Sequence, residues 1–210
     1  MISKRIQGKG ILSKLLEQGI KYLIMKECKK ISNLKIEIIG SSIQIIKGDI
    51  QKINIVANDI NYKDLLFDEI ELETNQIKIN FLSRNKELKL NNNFKIKFKL
   101  SLSENSVKTI LLSDKWNWIG NMISKEILNQ AKLEDIVLKD GQFLIKASKD
   151  INTINKLEQL NLKVEQGKIY LKSKAYNSSI KIPTEDKVYI KDAKIENNSI
   201  IISADSSVSF

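Results

Sequence analysis

Five carboxylates crowd one short stretch of this chain: Asp64, Asp68, Glu69, Glu71 and Glu73. Such a cluster is where an acid and base pair, or a divalent cation, would be sought. The spacing argues otherwise. Glu69, Glu71 and Glu73 alternate with Ile70 and Leu72, the period of a strand, so the carboxylates share one face and the apolar residues the other. Glu71 and Glu73 could accept a cation together, but no EF-hand spacing accompanies them. The expectation is a solvated strand face and no metal.

The rest of the reactive inventory is thin. The chain has no histidine, which removes His-based triads, His-built zinc sites and His general bases. Cys28 is the single cysteine; an intramolecular disulfide is impossible, and a reducing compartment, the cytoplasm, is expected. Its place on an apolar helical stripe reads as a small buried hydrophobe. No glycine-rich phosphate loop is present. The expected protein is therefore not an enzyme and needs no cofactor.

Charge favours acidic partners: 35 Lys and Arg against 25 Asp and Glu give +10, suiting an anionic membrane surface or nucleic acid. Only Arg5 and Arg84 are arginines, and wealth in Lys, Ile and Asn is what an AT-rich genome encodes whatever the function. "FKIKFKL", residues 94–100, tests the nucleic-acid option. Phe94, Ile96 and Phe98 fall on one face and Lys95, Lys97 and Lys99 on the other, whereas a base-stacking sheet offers aromatics and cations on one surface. Nucleic acid ranks below lipid and protein partners.

These residues must be positioned by two kinds of element. From Ile11 to Ile31 apolar residues recur at spacings of three and four, predicting an amphipathic helix whose other face carries Lys14, Glu17, Lys21 and Lys26. Gly19 lies in its stripe, at a cost of about 1 kcal/mol against alanine, and a close approach by a sheet would account for it. The helix is interrupted by charge too often for a signal peptide, and nowhere is there the run of about 18 apolar residues that a membrane span needs. Beyond it, alternation predicts strands over Leu34 to Ile38 and over 43–57, 65–74, 77–82 and 94–102, with turns at Gly40, Asn58 to Asn61 and 91–93. Ser103 can cap a short helix, and Trp116, Ile119, Met122, Ile123 and Ile127 follow helical spacing in a second. Strands return around Ile136, Phe143, Ile169, Val188 and Ile200, with Pro183 marking an edge strand or loop. Residues 1–210 read as a single domain of α+β class: a long N-terminal amphipathic helix packed on a highly curved, mainly antiparallel sheet, with short central helices.

A helix of about 21 residues is about 30 Å long and covers only a few strands spaced about 4.8 Å apart. The uncovered apolar face can be filled by curling, buried by self-association, or left as an elongated groove for an apolar ligand. The groove would be lined by Ile36, Ile38, Ile53, Ile55, Ile70, Leu72, Ile77, Ile79 and Phe81 of the strands and Leu16, Ile20 and Leu23 of the helix. The alternative is an adaptor that binds a protein through a sheet edge.

The run "IEIIGSSIQIIKGDIQKINIVANDINYKDLLFDEIELETNQIKINF", followed by "LSENSVKTILLSDKWNWIGNMISKEIL", resembles the LmeA family of phospholipid-binding proteins, including its cyanobacterial members of unassigned role. The resemblance rests on the Gly-x-Ile element within Ile45 to Ile50, the Val56, Ala57, Asn58 step, Tyr62 ahead of Leu65 or Leu66, and Ile79 with Asn80. Where the family's helix opening commonly has an acidic residue before a leucine, this chain has Ser106 and Val107. The resemblance covers residues 30–150, with strands in 151–210 extending it. It implies non-catalytic binding or transfer of phospholipid or another acyl lipid, on a fold similar to tubular lipid-binding domains. Secreted, lipid-anchored members carry an export signal and a lipidation cysteine that this sequence does not show. Lys4, Arg5, Lys9 and Lys14 suggest transient contact with an anionic membrane surface, each basic residue near it contributing about 1 kcal/mol.

Overall fold

The computed structural model describes residues 10–82, 87–90, 92–129, 132–148, 156–173 and 175–209. Its elements run α1 (Ile11–Glu27), β1 (Lys30–Ile39), α2 (Ser42–Ile46), β2 (Asp49–Tyr62), β3 (Leu65–Leu82), β4 (Glu87–Leu90) and β5 (Phe94–Ser103), then α3 (Glu104–Leu112) and α4 (Asn117–Leu128). The second half is β6 (Lys132–Lys139), β7 (Gln142–Ser148), β8 (Lys156–Glu165), β9 (Lys168–Ser173), β10 (Ser179–Lys181), β11 (Val188–Glu196) and β12 (Ser199–Val208). The α+β class with antiparallel sheets is as the alternation predicts.

Two sheets form. The larger has seven strands in the order β1-β2-β3-β5-β12-β11, with β4 paired to β3; the smaller has five, β10-β9-β8-β7-β6. The chain's last two strands thus return to the sheet its first half begins, with β12 antiparallel to β5 from Val208 opposite Phe94 to Ser199 opposite Ser103. Long-range pairing of this kind leaves no local mark in a sequence, and the halved plan of elements conceals it.

Turns explain much of the regularity. Four hairpins are joined by two residues, both with positive φ: Lys63 and Asp64 (52° and 70°), Asp140 and Gly141 (52° and 73°), Gln166 and Gly167 (49° and 73°), and Asn197 and Asn198 (50° and 56°). This is the type I′ geometry, whose twist matches the flanking strands. The first overturns an expectation: Asn58 to Asn61 lie inside β2, and the chain reverses at Lys63, with Tyr62 opposite Leu65. The Asn61 side chain helps there, accepting from the Asp64 N–H at 3.1 Å.

Other boundaries also shift. Residues 42–46 form a helical turn rather than the start of a strand, because Ser41 and Gln44 complete a reciprocal cap that satisfies the first amides. The first helix stops at Glu27, with Cys28 extended at its cap and Ile31 in β1. Gly19 faces open space, with nothing within 4 Å of where a Cβ would sit, so no sheet approaches it. Gly48 is the glycine in close contact: at φ +79°, an added Cβ would stand 1.8 Å from the Ile79 carbonyl oxygen. Pro183 follows β10, the edge of the smaller sheet.

The helices are distributed differently from the expected covering of the sheet by one long helix. α1 packs against β1 and α2, while α3 touches β3 and β5 of the larger sheet and β6 of the smaller, and α4 touches β6, β7 and β10. The central helices therefore join the sheets. Exposed strand edges are blunted by side chains: Glu17 accepts from Ile38 N–H of β1 at 3.1 Å, and in β6 Glu104 accepts from Leu138 N–H at 2.7 Å and Asn121 from Leu133 N–H at 3.1 Å. On β11 the Ile190 N–H donates to the Gly167 carbonyl at 3.0 Å. Amides so engaged are poor templates for a foreign strand.

Candidate functional site

The site begins where β5 becomes α3. Ser103 caps the helix, its Oγ accepting from Ser106 N–H at 3.3 Å, and Asp68 of β3 holds the same residue, accepting from its Oγ at 3.0 Å and from its N–H at 2.5 Å. A cap satisfies one of the free amides of a helix start; here it also fixes α3 to the sheet. The helix then buries Val107, Ile110 and Leu111, one face of a 3.6-residue period. Ser113 ends it, and after a short turn α4 buries Gly120, Ile123, Ser124, Ile127 and Leu128. The two helices come close at Gly120, where an added Cβ would be 2.7 Å from both the Leu111 carbonyl oxygen and the Leu133 Cδ2.

Beneath this pair lies a cavity of about 170 Å³. Its walls come from α3 (Val107, Ile110, Leu111), α4 (Ile119, Ile123), the smaller sheet (Phe143, Leu162, Ile169, Leu171), and the larger sheet (Leu65, Leu102, Ile200, Ile202), with Ile182 completing them. Every lining residue is aliphatic except Phe143. An apolar space of about 150 Å³ stays dry and accepts a benzene-sized guest, so this one suits the end of a hydrocarbon chain. Leu65, Leu102, Ile119, Leu162, Ile182 and Ile202 are only half-buried and mark where it meets solvent.

From Leu102 and Ile202 the apolar face continues across the larger sheet. Ala204, Phe98, Leu72, Ile55 and Ile36 stand opposite one another on β12, β5, β3, β2 and β1. Four strand intervals make this row about 19 Å long. All but Ala204 are half-buried.

The predicted groove divides along this line. Ile36, Ile55, Ile70 and Leu72 lie half-buried on that face, and Ile38, Ile53, Ile77 and Ile79 are buried in a cluster with Ile45 and Ile50, against which Leu16 and Ile20 pack. Leu23 does not join them; it shares the angular stripe of Leu12, Leu16 and Ile20 but is 55% exposed. The Phe81 side chain, and Lys4, Arg5 and Lys9, lie outside the described residues. Lys14 is exposed on α1. Sequence reasoning missed the cavity, although the helical spacing after Ser103 and the apolar pairs at Phe143 and Ile169 supply its walls.

The carboxylates are engaged separately. Asp64 bonds Lys29 at 2.6 Å and Lys115 at 3.4 Å; Glu73 meets Lys52 at 2.5 Å and Lys97 at 3.6 Å; Glu71 meets Lys99 at 3.2 Å. Hydrogen bonds from Lys29 and Lys52 hold Asp64 and Glu73 below the usual carboxylate range. Lys95, Lys97 and Lys99 are exposed opposite half-buried Phe94, Ile96 and Phe98, the outer stripe that the alternation predicts. Cys28 is half-buried at the α1 cap, and burial pushes its thiol up, with Glu27 adding to the effect. Among the described residues no three His, Cys, Asp or Glu side chains are placed to share a metal, and no helix is long and apolar enough to cross a membrane.

A family model described as LmeA-like phospholipid-binding matches residues 8–204, a span that takes in all four described helices and the described strands, with β12 covered as far as Ala204. No curated protein and no solved structure matches the chain.

Proposed function

The chain belongs to the LmeA-like phospholipid-binding family, and from that premise we propose that it binds or transfers an acyl lipid without chemical change. In this reading residues 1–210 act as one lipid-binding domain that contacts membrane surfaces transiently. The end of an acyl chain enters the cavity under α3 and α4, and the rest follows the half-buried row through Phe98, Leu72 and Ile55. One observation carries the reading: a wholly apolar cavity whose half-buried rim runs on into an apolar sheet face of elongated shape. Ligand pockets are commonly of this mainly apolar kind. The adaptor alternative has less support, because side chains or backbone carbonyls already engage amides on β1, β6 and β11.

Native mass spectrometry and solvent extraction of the purified protein test this. Acyl lipid should co-purify, and the double substitution I119W/L162W, which fills the cavity from two rim positions, should lower its recovery at least about tenfold, a cost near 1.4 kcal/mol of binding. If neither extraction nor titration with a short-chain phospholipid detects binding to the unmodified protein, the reading fails.

A further inference from the structure

α1 is apolar on two sides. Leu12, Leu16 and Ile20 pack on the core of the N-terminal end, yet Ile11 is 81%, Leu15 59%, Tyr22 70% and Met25 50% exposed. At 3.6 residues per turn these four fall within an arc of about 80°, pointing away from the sheet. α2 extends the surface. It buries Ile45 and leaves Ile43 and Ile46, 67% and 66% exposed, on its outer side, and the two helices pack together, with a Cβ on Gly10 placed 3.2 Å from the Ser42 Oγ. Single exposed apolar residues are ordinary, but a contiguous group rimmed by charge marks an interaction surface.

The rim identifies the partner. Lys14, Lys21 and Lys26 flank the outward arc of α1, and Lys47 ends α2; all are exposed. Glu17 and Glu27 are the only carboxylates of α1, and both project more than about 100° from the centre of that arc. Glu17 is moreover engaged with the β1 amide. Apolar residues bordered by lysines, with no carboxylate between them, fit a surface that is hydrocarbon beneath and anionic at its boundary. A second copy of this chain fits poorly. A two-fold contact sets the same patch against itself, bringing the lysines of both copies together with no acid on that arc to receive them.

We propose that the outward faces of α1 and α2 dock on an anionic bilayer, with Ile11, Leu15, Ile43 and Ile46 entering the head-group region and Lys14 and Lys47 meeting lipid phosphates. This deepens the lipid-binding reading and rests on it for the choice of partner. It also changes the expected membrane contact, which charge alone would make purely electrostatic. The helix covers the edge of the sheet with one side and presents the other to the membrane.

Vesicle flotation tests the proposal, with phosphatidylglycerol in phosphatidylcholine against phosphatidylcholine alone at about 0.1 M salt. The full chain should float with the anionic vesicles only. I11E/L15E and I43E/I46E should each weaken binding at least about tenfold, and K14E/K47E should weaken it and flatten its salt dependence. The uncharged pair I11S/L15S separates lost insertion from added repulsion and should also weaken binding. Titration with monomeric dihexanoyl phosphatidylglycerol, without vesicles, reports the cavity independently. Its retention in the α1 and α2 variants shows that they fold and that docking alone was lost; its failure in the unmodified chain would count against lipid binding rather than docking. Equal flotation with neutral vesicles, or unchanged flotation of I11S/L15S, overturns the proposal. So does a dimer in sedimentation that I11E/L15E converts to monomer, which would assign the face to a second copy.

Discussion

Two glycines in the same region carry opposite meanings, and only backbone geometry separates them. Gly48 has φ +79° and its missing Cβ would overlap the Ile79 carbonyl, so Gly48→Ala combines a left-handed strain with a backbone clash. It should destabilise by about 3 kcal/mol, read as a lower urea midpoint. Gly19 is helical, exposed and open, so Gly19→Ala should raise stability by up to about 1 kcal/mol, read as a higher urea midpoint; a loss there would reveal a contact that α1 makes elsewhere. The carboxylates give a second residue-scale expectation. Hydrogen bonds from Lys29, Lys52 and Lys108 hold Asp64, Glu73 and Asp135 below their ordinary values. A carboxylate depressed in the folded state stabilises it above the unfolded value, and that contribution is lost as pH falls through the folded value. With no histidine to titrate near neutrality, the melting temperature should stay nearly flat from about pH 5 to 8 and decline below about pH 4. A broad fall between pH 7 and 5 would contradict this assignment of charges.

Among the elements, Ser103 shows what a sequence makes legible. A serine ahead of an apolar period names a cap, and the structure places it there. What the sequence does not carry is Asp68, 35 positions away, closing on the same residue. Ser103→Ala should therefore cost about 1 to 2 kcal/mol, toward the upper end for a cap, and Asp68→Asn should cost less when combined with Ser103→Ala than alone, by the share of the hydroxyl bond, since the backbone N–H of residue 103 remains as a donor; equal costs would mean that the two side chains act separately. The misread elements have equally specific causes. The pattern at 43–46 alternates apolar and polar residues well enough for a strand, but the reciprocal Ser41 and Gln44 cap decides for a helix. Asn58 to Asn61 look like a turn, yet their neighbours Ile55 and Ala57 pair with Leu72 and Ile70 in a continuous ladder, and pairing outweighs local preference. The half-buried apolar stripe on β1 to β5 is partly visible by period. The cavity is not, because its walls come from Leu65, Leu102, Ile119, Leu162 and Ile202, on separate elements that only tertiary pairing unites.

At the scale of the molecule, two of the three buried apolar clusters among the described residues have different work. One lies beneath α1 and α2, where Ile38, Ile45 and Ile50 are 4%, 1% and 2% exposed; it is filled by protein. The other surrounds the cavity under α3 and α4, and is the one with room. This distinction can be read in solution, because a ligand that binds only the folded state adds stability set by its concentration and affinity, about 2.7 kcal/mol at a hundred times the dissociation constant. Ile38→Ala should lower the stability of the free protein by about 2 to 5 kcal/mol, but a saturating short-chain phospholipid should still restore the full increment seen with the unmodified chain. I119W/L162W should behave in the reverse way, with free-protein stability near the original and little increment from the same ligand. Thermal melts with and without phospholipid give all four values. If Ile38→Ala abolishes the increment and the filled cavity leaves it intact, the acyl chain lies under α1, where the period of the sequence first placed it, and the cavity is a packing defect with no part in binding.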